Sequence, residues 1–277
     1  MIDFLRQRAI SGVELVKDNA YFRTVNILNK NNSYVNGWIK VENNSDKNCL
    51  NVTVSETLLP VISKVLFKIK RMFDLACDPS SIDTVLKSMN DFKENIYQTG
   101  VRLPGCFDTF EMCVRAVLGQ QITVKAAGTL AGRIAAEYGT KVKTGIEGLD
   151  YAFPTKEKIL SFGQDNISDK LGVLGVTSAR SKTIYLLAES LSTGKISLDT
   201  VSSAQTAVKS LMELPVIGEW TANYIAMRAI SWTDAFLPTD YGIKKAMAPL
   251  SKKEIMELSE KWRPWRSYAA ITLWNSL

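Results

Sequence analysis

The sequence predicts a mainly α protein with an α+β N-terminal domain, a small antiparallel sheet plus a helix, followed by an all-α body. Three observations predict it. Residues 1–79 contain short runs of Val, Ile, Thr and aromatic residues separated by Asn-rich breaks. From Cys106 onward the apolar residues recur almost entirely at helical spacing. Hydrophobic residues are 46% and charged residues 22% of 277, a composition that buries a large core at a length comfortable for two domains.

In order along the chain, Tyr21–Asn29, Tyr34–Val41 and Cys49–Ser55 read as strands of a meander. The breaks at Lys30-Asn31-Asn32-Ser33 and Asn43-Asn44-Ser45-Asp46 read as tight turns. Leu58, Leu59, Ile62, Val65, Leu66, Ile69 and Phe73 then form a helical stripe, with Lys64, Lys68 and Arg71 on a solvated face. The helices expected beyond are Phe110–Leu118, Lys125–Tyr138, Ser181–Leu191, Ala204–Met212, Trp220–Ile230, Ile243–Met247, Lys252–Trp262 and Trp265–Trp274. Gly139, Gly194 and Gly218 stand at helix ends or turns, and Pro104, Pro154, Pro215, Pro238, Pro249 and Pro264 fall between helices.

Composition also excludes chemistry. The chain has no histidine, so triads of the serine-protease kind and His-bearing zinc sites are ruled out. Cys49, Cys77, Cys106 and Cys113 have no CxxC spacing and read as buried, reduced thiols. Catalysis must then rest on carboxylates, lysines, hydroxyls or the backbone. A net charge of +6 is compatible with a polyanionic partner without requiring one. No run approaches the ~20 apolar residues that span a bilayer, and Met1-Ile2-Asp3-Phe4-Leu5-Arg6 lacks signal-peptide order. A soluble cytoplasmic protein with no membrane partner is expected.

Two segments are rich in chemistry. In Leu214-Pro215-Val216-Ile217-Gly218-Glu219-Trp220, a helix runs into Leu-Pro, turns, and restarts. The restarting helix presents backbone N–H groups that suit a phosphate oxygen, although an ordinary helical hairpin with Gly at its turn has the same pattern. In Phe236-Leu237-Pro238-Thr239-Asp240-Tyr241, Asp240 precedes a short apolar-periodic segment. It suits a helix N-cap, and a capping carboxylate with one oxygen to spare also suits a substrate.

These two segments resemble the helix–hairpin–helix base-excision DNA glycosylases. The rest of the chain is similar to the AlkA type, the 3-methyladenine DNA glycosylase II family. The resemblance also rests on Phe73-Asp74-Leu75-Ala76-Cys77-Asp78-Pro79 and Arg102-Leu103-Pro104-Gly105-Cys106. Arg115-Ala116-Val117-Leu118-Gly119-Gln120-Gln121-Ile122-Thr123-Val124 and Trp262-Arg263-Pro264-Trp265-Arg266-Ser267-Tyr268-Ala269 complete it. It implies a helix–hairpin–helix glycosylase body and three parts: an N-terminal α+β domain over 1–79, a helical domain from 80–108 and 233–277 completing the cleft, and a helical domain over 109–232 carrying the hairpin at about 204–230.

By the same resemblance Asp240 is the catalytic residue. Trp220, Tyr224 and Trp274, with Phe4, line an aromatic base pocket. Gln121 enters the gap left by a flipped nucleotide, and Leu214, Pro215, Val216, Ile217 and Gly218 anchor the DNA backbone. The carbonyls of Met212, Leu214 and Ile217 hold a structural Na+ or K+ when DNA is bound, and no other cofactor is required. The implied activity is monofunctional hydrolysis of the N-glycosidic bond of alkylated purines such as 3-methyladenine and 7-methylguanine in base excision repair. The implied partner is double-stranded DNA carrying alkylated bases, met by a monomer in the bacterial cytosol and nucleoid. Bifunctional relatives place a lysine where this chain has Trp220, and an indole forms no Schiff base. The alternative is a helix–hairpin–helix protein that binds lesions or bent DNA without glycosylase activity.

The chain departs from the family pattern in two places. The usual Pro-Gly-Ile-Gly hairpin is here Pro215-Val216-Ile217-Gly218. A positive φ at residue 216 would strain Val, whereas a negative φ would accept it, and both remain open. Relatives also carry a further strand ahead of Phe4, so the sheet is expected to lack an edge strand.

Overall fold

The computed structural model describes residues 1–198 and 204–277. After a short helix α1 (Ile2–Arg8), the chain forms β1 (Glu14–Lys17), β2 (Ala20–Leu28), β3 (Tyr34–Asn44) and β4 (Cys49–Val54). They make one antiparallel sheet in sequence order, β1-β2-β3-β4. Asp18 and Asn19 link β1 to β2 with φ of +49° and +57°, the double left-handed turn that matches strand twist. The Asn-rich breaks act as turns: the Asn29 side chain accepts from the amides of Asn31 and Ser33, and Asn32 and Asn48 take φ of +56° and +48°.

A 3-10 turn at Glu56–Val61 leads into α2 (Ile62–Met72). Leu58, Val61, Val65, Ile69 and Met72 are buried, whereas Leu59 and Leu66 are exposed, against the expected stripe. The cause is rotational: the 3-10 turn carrying Pro60 breaks the phase before α2 begins, and Leu66 lies one residue off the buried row. Arg71 likewise leaves the expected solvated face, its guanidinium donating to the Ala229 carbonyl at 3.0 Å.

Helix α3 (Pro79–Leu86) starts at Asp78, whose side chain accepts from the Ser80 amide. Helices α4 (Thr109–Leu118) and α5 (Val124–Tyr138) follow. Gly139 ends α5 where a Cβ would lie 2.3 Å from the Ala135 carbonyl oxygen and 2.4 Å from that of Ala152. The body is not purely helical, because β5 (Thr140–Lys141) and β6 (Tyr151–Ala152) pair as a two-stranded ribbon. Beyond it come α6 (Lys156–Leu160), α7 (Ile167–Gly172), α8 (Ser178–Ser192), α9 (Ala204–Met212), α10 (Glu219–Ile225), α11 (Tyr241–Ala246), α12 (Lys252–Ser259) and α13 (Arg266–Asn275). The stretch expected as one helix over Trp220–Ile230 is α10 followed by a π-helical turn at Ala226–Ile230.

The chain forms two compact units, 1–68 with 113–195 and 69–112 with 196–277. The first holds the sheet. The second holds the hairpin α9–α10 and the segment carrying Asp240. Within it, Arg266 binds both carboxylate oxygens of Asp234, and the Ser267 hydroxyl donates to the carbonyls of Trp232 and Ala235. These bonds tie the start of α13 to the loop that leads to Asp240, with Tyr268 to Leu273 buried behind. Of the four cysteines only Cys113 is buried, in α4; Cys77 and Cys106 are half-buried, and Cys49 is exposed at the start of edge strand β4.

Candidate functional site

The hairpin between α9 and α10 turns at Leu214–Ile217, with the Ile217 amide donating to the Leu214 carbonyl at 3.3 Å. Pro215 precedes Val216, which has φ +60°, so the turn has the proline-then-left-handed order of a type II turn. The strained alternative is therefore the one adopted: Val occupies a conformation suited to glycine. Leu214 and Ile217 are buried and fix the turn, while Pro215 and Val216 face outward. Gly218 is the N-cap of α10 and has no side chain to satisfy the first-turn amides, leaving the amides of Glu219 and Trp220 without helical partners. The carbonyls of Met212, Leu214 and Ile217 are hard oxygen donors, the kind that Na+ and K+ take, and the Leu214 oxygen keeps a lone pair beyond its bond to the Ile217 amide.

Asp240 is the N-cap of α11, its Oδ1 accepting from the Ile243 amide at 3.0 Å. The same Oδ1 accepts from Trp274 Nε1 at 2.8 Å, and Oδ2 accepts from Trp220 Nε1 at 3.1 Å. Helices α10, α11 and α13 thus converge on one carboxylate, held by N–H donors on neutral groups. The side chain is half-buried rather than buried, because α11 begins there with its Tyr241 80% exposed.

The three aromatics of α10 and α13 form a cluster around this carboxylate. Trp220 and Tyr224, four residues apart, stack at 5.1 Å with an interplanar angle of 18°. Tyr224 meets Trp274 edge-on at 6.3 Å. All three rings are half-buried, which leaves part of their surface open to a ligand. Sequence reasoning cast the indoles as stacking faces and missed that their N–H groups hold Asp240.

It also missed Arg228. This side chain is buried in the π-helical turn and donates to the Tyr224 hydroxyl at 2.8 Å, the Pro104 carbonyl at 2.5 Å and the Gly105 carbonyl at 3.0 Å. An arginine inside the apolar run Ile225-Ala226-Met227-Arg228-Ala229-Ile230 was the available signal. The loop it grips is also bound to Asp74, which accepts from the Leu103 amide and the Tyr268 hydroxyl. Burial pushes the Asp74 pKa above the ordinary 3.8. Burial, then the nearby Asp74, pushes the Cys77 thiol up to about 11, too high for a nucleophile at neutral pH.

The structure brings Asp240, Trp220, Tyr224 and Trp274 together in the second unit, whereas Phe4 and Gln121 belong to the first. Phe4 is half-buried on α1, with the Arg8 guanidinium 3.8 Å from its ring centroid. Gln121 is exposed between α4 and α5 with φ +55°, next to Gln120, whose carbonyl accepts from Arg180.

Among solved structures, the 3-methyladenine DNA-glycosylase from Archaeoglobus fulgidus shares this fold with a TM-score of 0.73, at 18% identity, over 99% of this chain and 92% of that one. The fold is therefore that of a solved DNA glycosylase. Residues 1–108 match the AlkA N-terminal domain family. Over 274 residues the chain is 33% identical to DNA-3-methyladenine glycosylase 2 of Escherichia coli (strain K12), covering 99% of this chain and 92% of that protein. It is 35% identical over 279 residues to a probable bifunctional transcriptional activator/DNA repair enzyme AlkA of Mycobacterium tuberculosis, covering 99% of this chain and 53% of that protein. The chain belongs to the AlkA family of DNA glycosylases, enzymes of base excision repair.

Proposed function

We propose that this chain flips alkylated purines such as 3-methyladenine and 7-methylguanine out of duplex DNA and hydrolyses their N-glycosidic bond. The observation that carries the proposal is Asp240, fixed by two indole N–H groups and one amide beside three half-buried aromatic rings. An alkylated purine carries positive charge on its ring. Trp220, Tyr224 and Trp274 attract such a ring by stacking and cation–π contact, worth roughly 0.5–2 kcal/mol each. Its charge also makes it a good leaving group. As the glycosidic bond breaks, positive charge develops on the sugar, and the Asp240 carboxylate stabilises it and orients the attacking water.

The remaining parts act on the DNA. Gln121 fills the gap left by the flipped nucleotide, and Phe4 adds to the base-binding aromatics. The turn over Leu214, Pro215, Val216, Ile217 and Gly218 directs backbone N–H groups at a phosphate. The carbonyls of Met212, Leu214 and Ile217 would hold Na+ or K+, which supplies positive charge toward that phosphate. Trp220 provides no amine for a Schiff base, so the product is an intact abasic strand. The related 8-oxoguanine glycosylase/lyase of Clostridium acetobutylicum is solved with double-stranded DNA, which supports DNA as the partner. Among the described residues no helix is long and apolar enough to cross a membrane. We place the protein in the cytosol at the nucleoid, acting as a monomer.

The test is base release from methylated duplex by wild type and Asp240→Asn. The variant should keep less than about a tenth of the activity, a barrier increase above ~1.4 kcal/mol. Its duplex affinity should be unchanged or higher, since a like charge near phosphate is removed. Greater residual activity would refute the role of Asp240.

A further inference from the structure

Residue 242 is a glycine without a backbone reason. It is the second residue of α11, its φ lies outside the left-handed region, and glycine is a poorer helix former than alanine. Space accounts for it. A Cβ at residue 242 would lie 2.9 Å from Trp274 Cδ1, 3.2 Å from Asp240 Oδ1 and 3.3 Å from Leu277 Cδ1. The first contact is closer than real Cβ atoms come to a neighbour, and the Leu277 methyl is the only one of the three at the end of a flexible apolar chain.

Trp274 Cδ1 is bonded to Nε1, the atom that donates to Asp240 Oδ1 at 2.8 Å. A side chain at 242 would therefore press on both partners of that bond. Neither has an easy retreat. The indole extends from a helix whose residues Arg266 to Leu273 are buried, and its ring meets Tyr224 edge-on. The carboxylate is bound as well by the Ile243 amide and by Trp220 Nε1.

We propose that Gly242 is a positioning residue for glycosidic-bond hydrolysis: its missing side chain is the space in which the Trp274 indole lies against α11 and holds Asp240. The inference rests on the reading of Asp240 given above. It adds that the enzyme accepts a poorer helix former at the start of α11 in order to fix its carboxylate, and that even a methyl group there would loosen it. Gly242 touches neither base nor sugar and acts only through Trp274 and Asp240.

The experiment is single-turnover base release from methylated duplex by Gly242→Ala, beside its affinity for a duplex carrying an abasic analogue and its thermal melt. The rate should fall about tenfold to hundredfold, the effect of a small misplacement of a reacting group. The dissociation constant should stay at the wild-type value, the melting temperature should fall by no more than a few degrees because alanine's better helix propensity offsets part of the crowding, and the near-UV circular dichroism of the indoles should change. Trp274→Ala removes both the donor and the ring atom that the new methyl would strike. In that background Gly242→Ala should change the rate by less than about twofold, the coupling expected of residues in contact. A wild-type rate for Gly242→Ala, or an equal loss in both backgrounds, overturns the inference. Asp240→Asn measured alongside separates the two ideas. An inactive Asp240→Asn beside a fully active Gly242→Ala overturns the inference alone, whereas an active Asp240→Asn removes the reading on which it rests.

Discussion

The two units each hold an important carboxylate, and they hold it in opposite ways. In the first unit Glu14 is 6% exposed and lies between two arginines, with Arg115 at 2.9 Å and Arg23 at 3.8 Å. The Tyr21 hydroxyl and the Ile10 amide complete its shell. In the second unit Asp240 is half-buried and is held by two indoles and an amide, and among the described residues no lysine or arginine pairs with it. Both arrangements fix the carboxylate in place. Only the second leaves its negative charge uncancelled, as the proposed role of Asp240 requires. A saturated acid stabilises the fold, and an acid held by neutral donors is suited to chemistry.

Breaking the pairing of each acid sharpens that contrast. Glu14→Gln removes the charge that pairs with buried Arg23 and half-buried Arg115 and should lower stability by ~3–5 kcal/mol, read from a denaturant or thermal melt. Base release per folded molecule should stay unchanged, and a selective loss of rate would break the distinction between the two acids. Trp220→Phe has the reverse signature. It removes one N–H bond to a charged acceptor, worth about 1.5–3 kcal/mol, so base release should fall by tenfold or more. Wild-type activity in that variant would mean the indole N–H is dispensable.

The sheet turns and the hairpin also differ in how they treat left-handed backbone. The sheet turns of the first unit place Asp18, Asn19, Asn32 and Asn48 at positive φ, residue types that tolerate it. The hairpin of the second unit places Val216 there, at φ +60°. The left-handed conformation costs a residue with a Cβ about 1–2 kcal/mol, and glycine costs about 0.4–1 kcal/mol through its freer unfolded chain. Val216→Gly should therefore raise stability by up to ~1.6 kcal/mol, by the difference of those two effects. Affinity for undamaged duplex should change little, because the turn already has the shape that glycine would take. A lower melting temperature would show that Val216 is unstrained.

The smallest effect expected is a pH dependence, and its sign differs between the units. Burial would raise the Glu14 pKa, but Arg115, Arg23, Tyr21 and the Ile10 amide together hold it below the ordinary 4.5. Its contribution to stability is present above pH 4.5 and is lost as the pH falls through that lowered value. Burial raises Asp74 above 3.8, so its contribution is present below pH 3.8 and is lost as the pH rises through the raised value. Melting temperatures of Asp74→Asn across the acid range should lack that second decline. A decline identical to wild type would assign it to another group.

Much of this was legible in the residues. Strands β2, β3 and β4, the Asn-rich turns, and helices α4, α5, α9, α12 and α13 have long or strictly periodic patterns and fall within a few residues of their expected positions. Helices α1, α6 and α7 and strand β1 span only four to seven residues each, too few for a period to show. Helix α3 carried a readable signal in Asp78-Pro79, a capping residue followed by proline at the first helical position.

The same division runs through the site. By itself the sequence determined the chemical inventory: no histidine, an Asp able to cap a helix after a proline loop, a Leu-Pro turn between two helices, and aromatics on the flanking helices. Those are properties of residue types and short spacings, and local physics fixes them. The tertiary structure decided which atoms meet. That Trp220 and Trp274 direct their N–H groups at Asp240, that Arg228 reaches Pro104 and Gly105, and that Gly242 leaves room for an indole 32 residues further along are consequences of packing between helices distant in sequence. It also decided the sign of φ at Val216, because the burial of Leu214 and Ile217 on either side fixes the path of the turn between them, whatever residue occupies its tip.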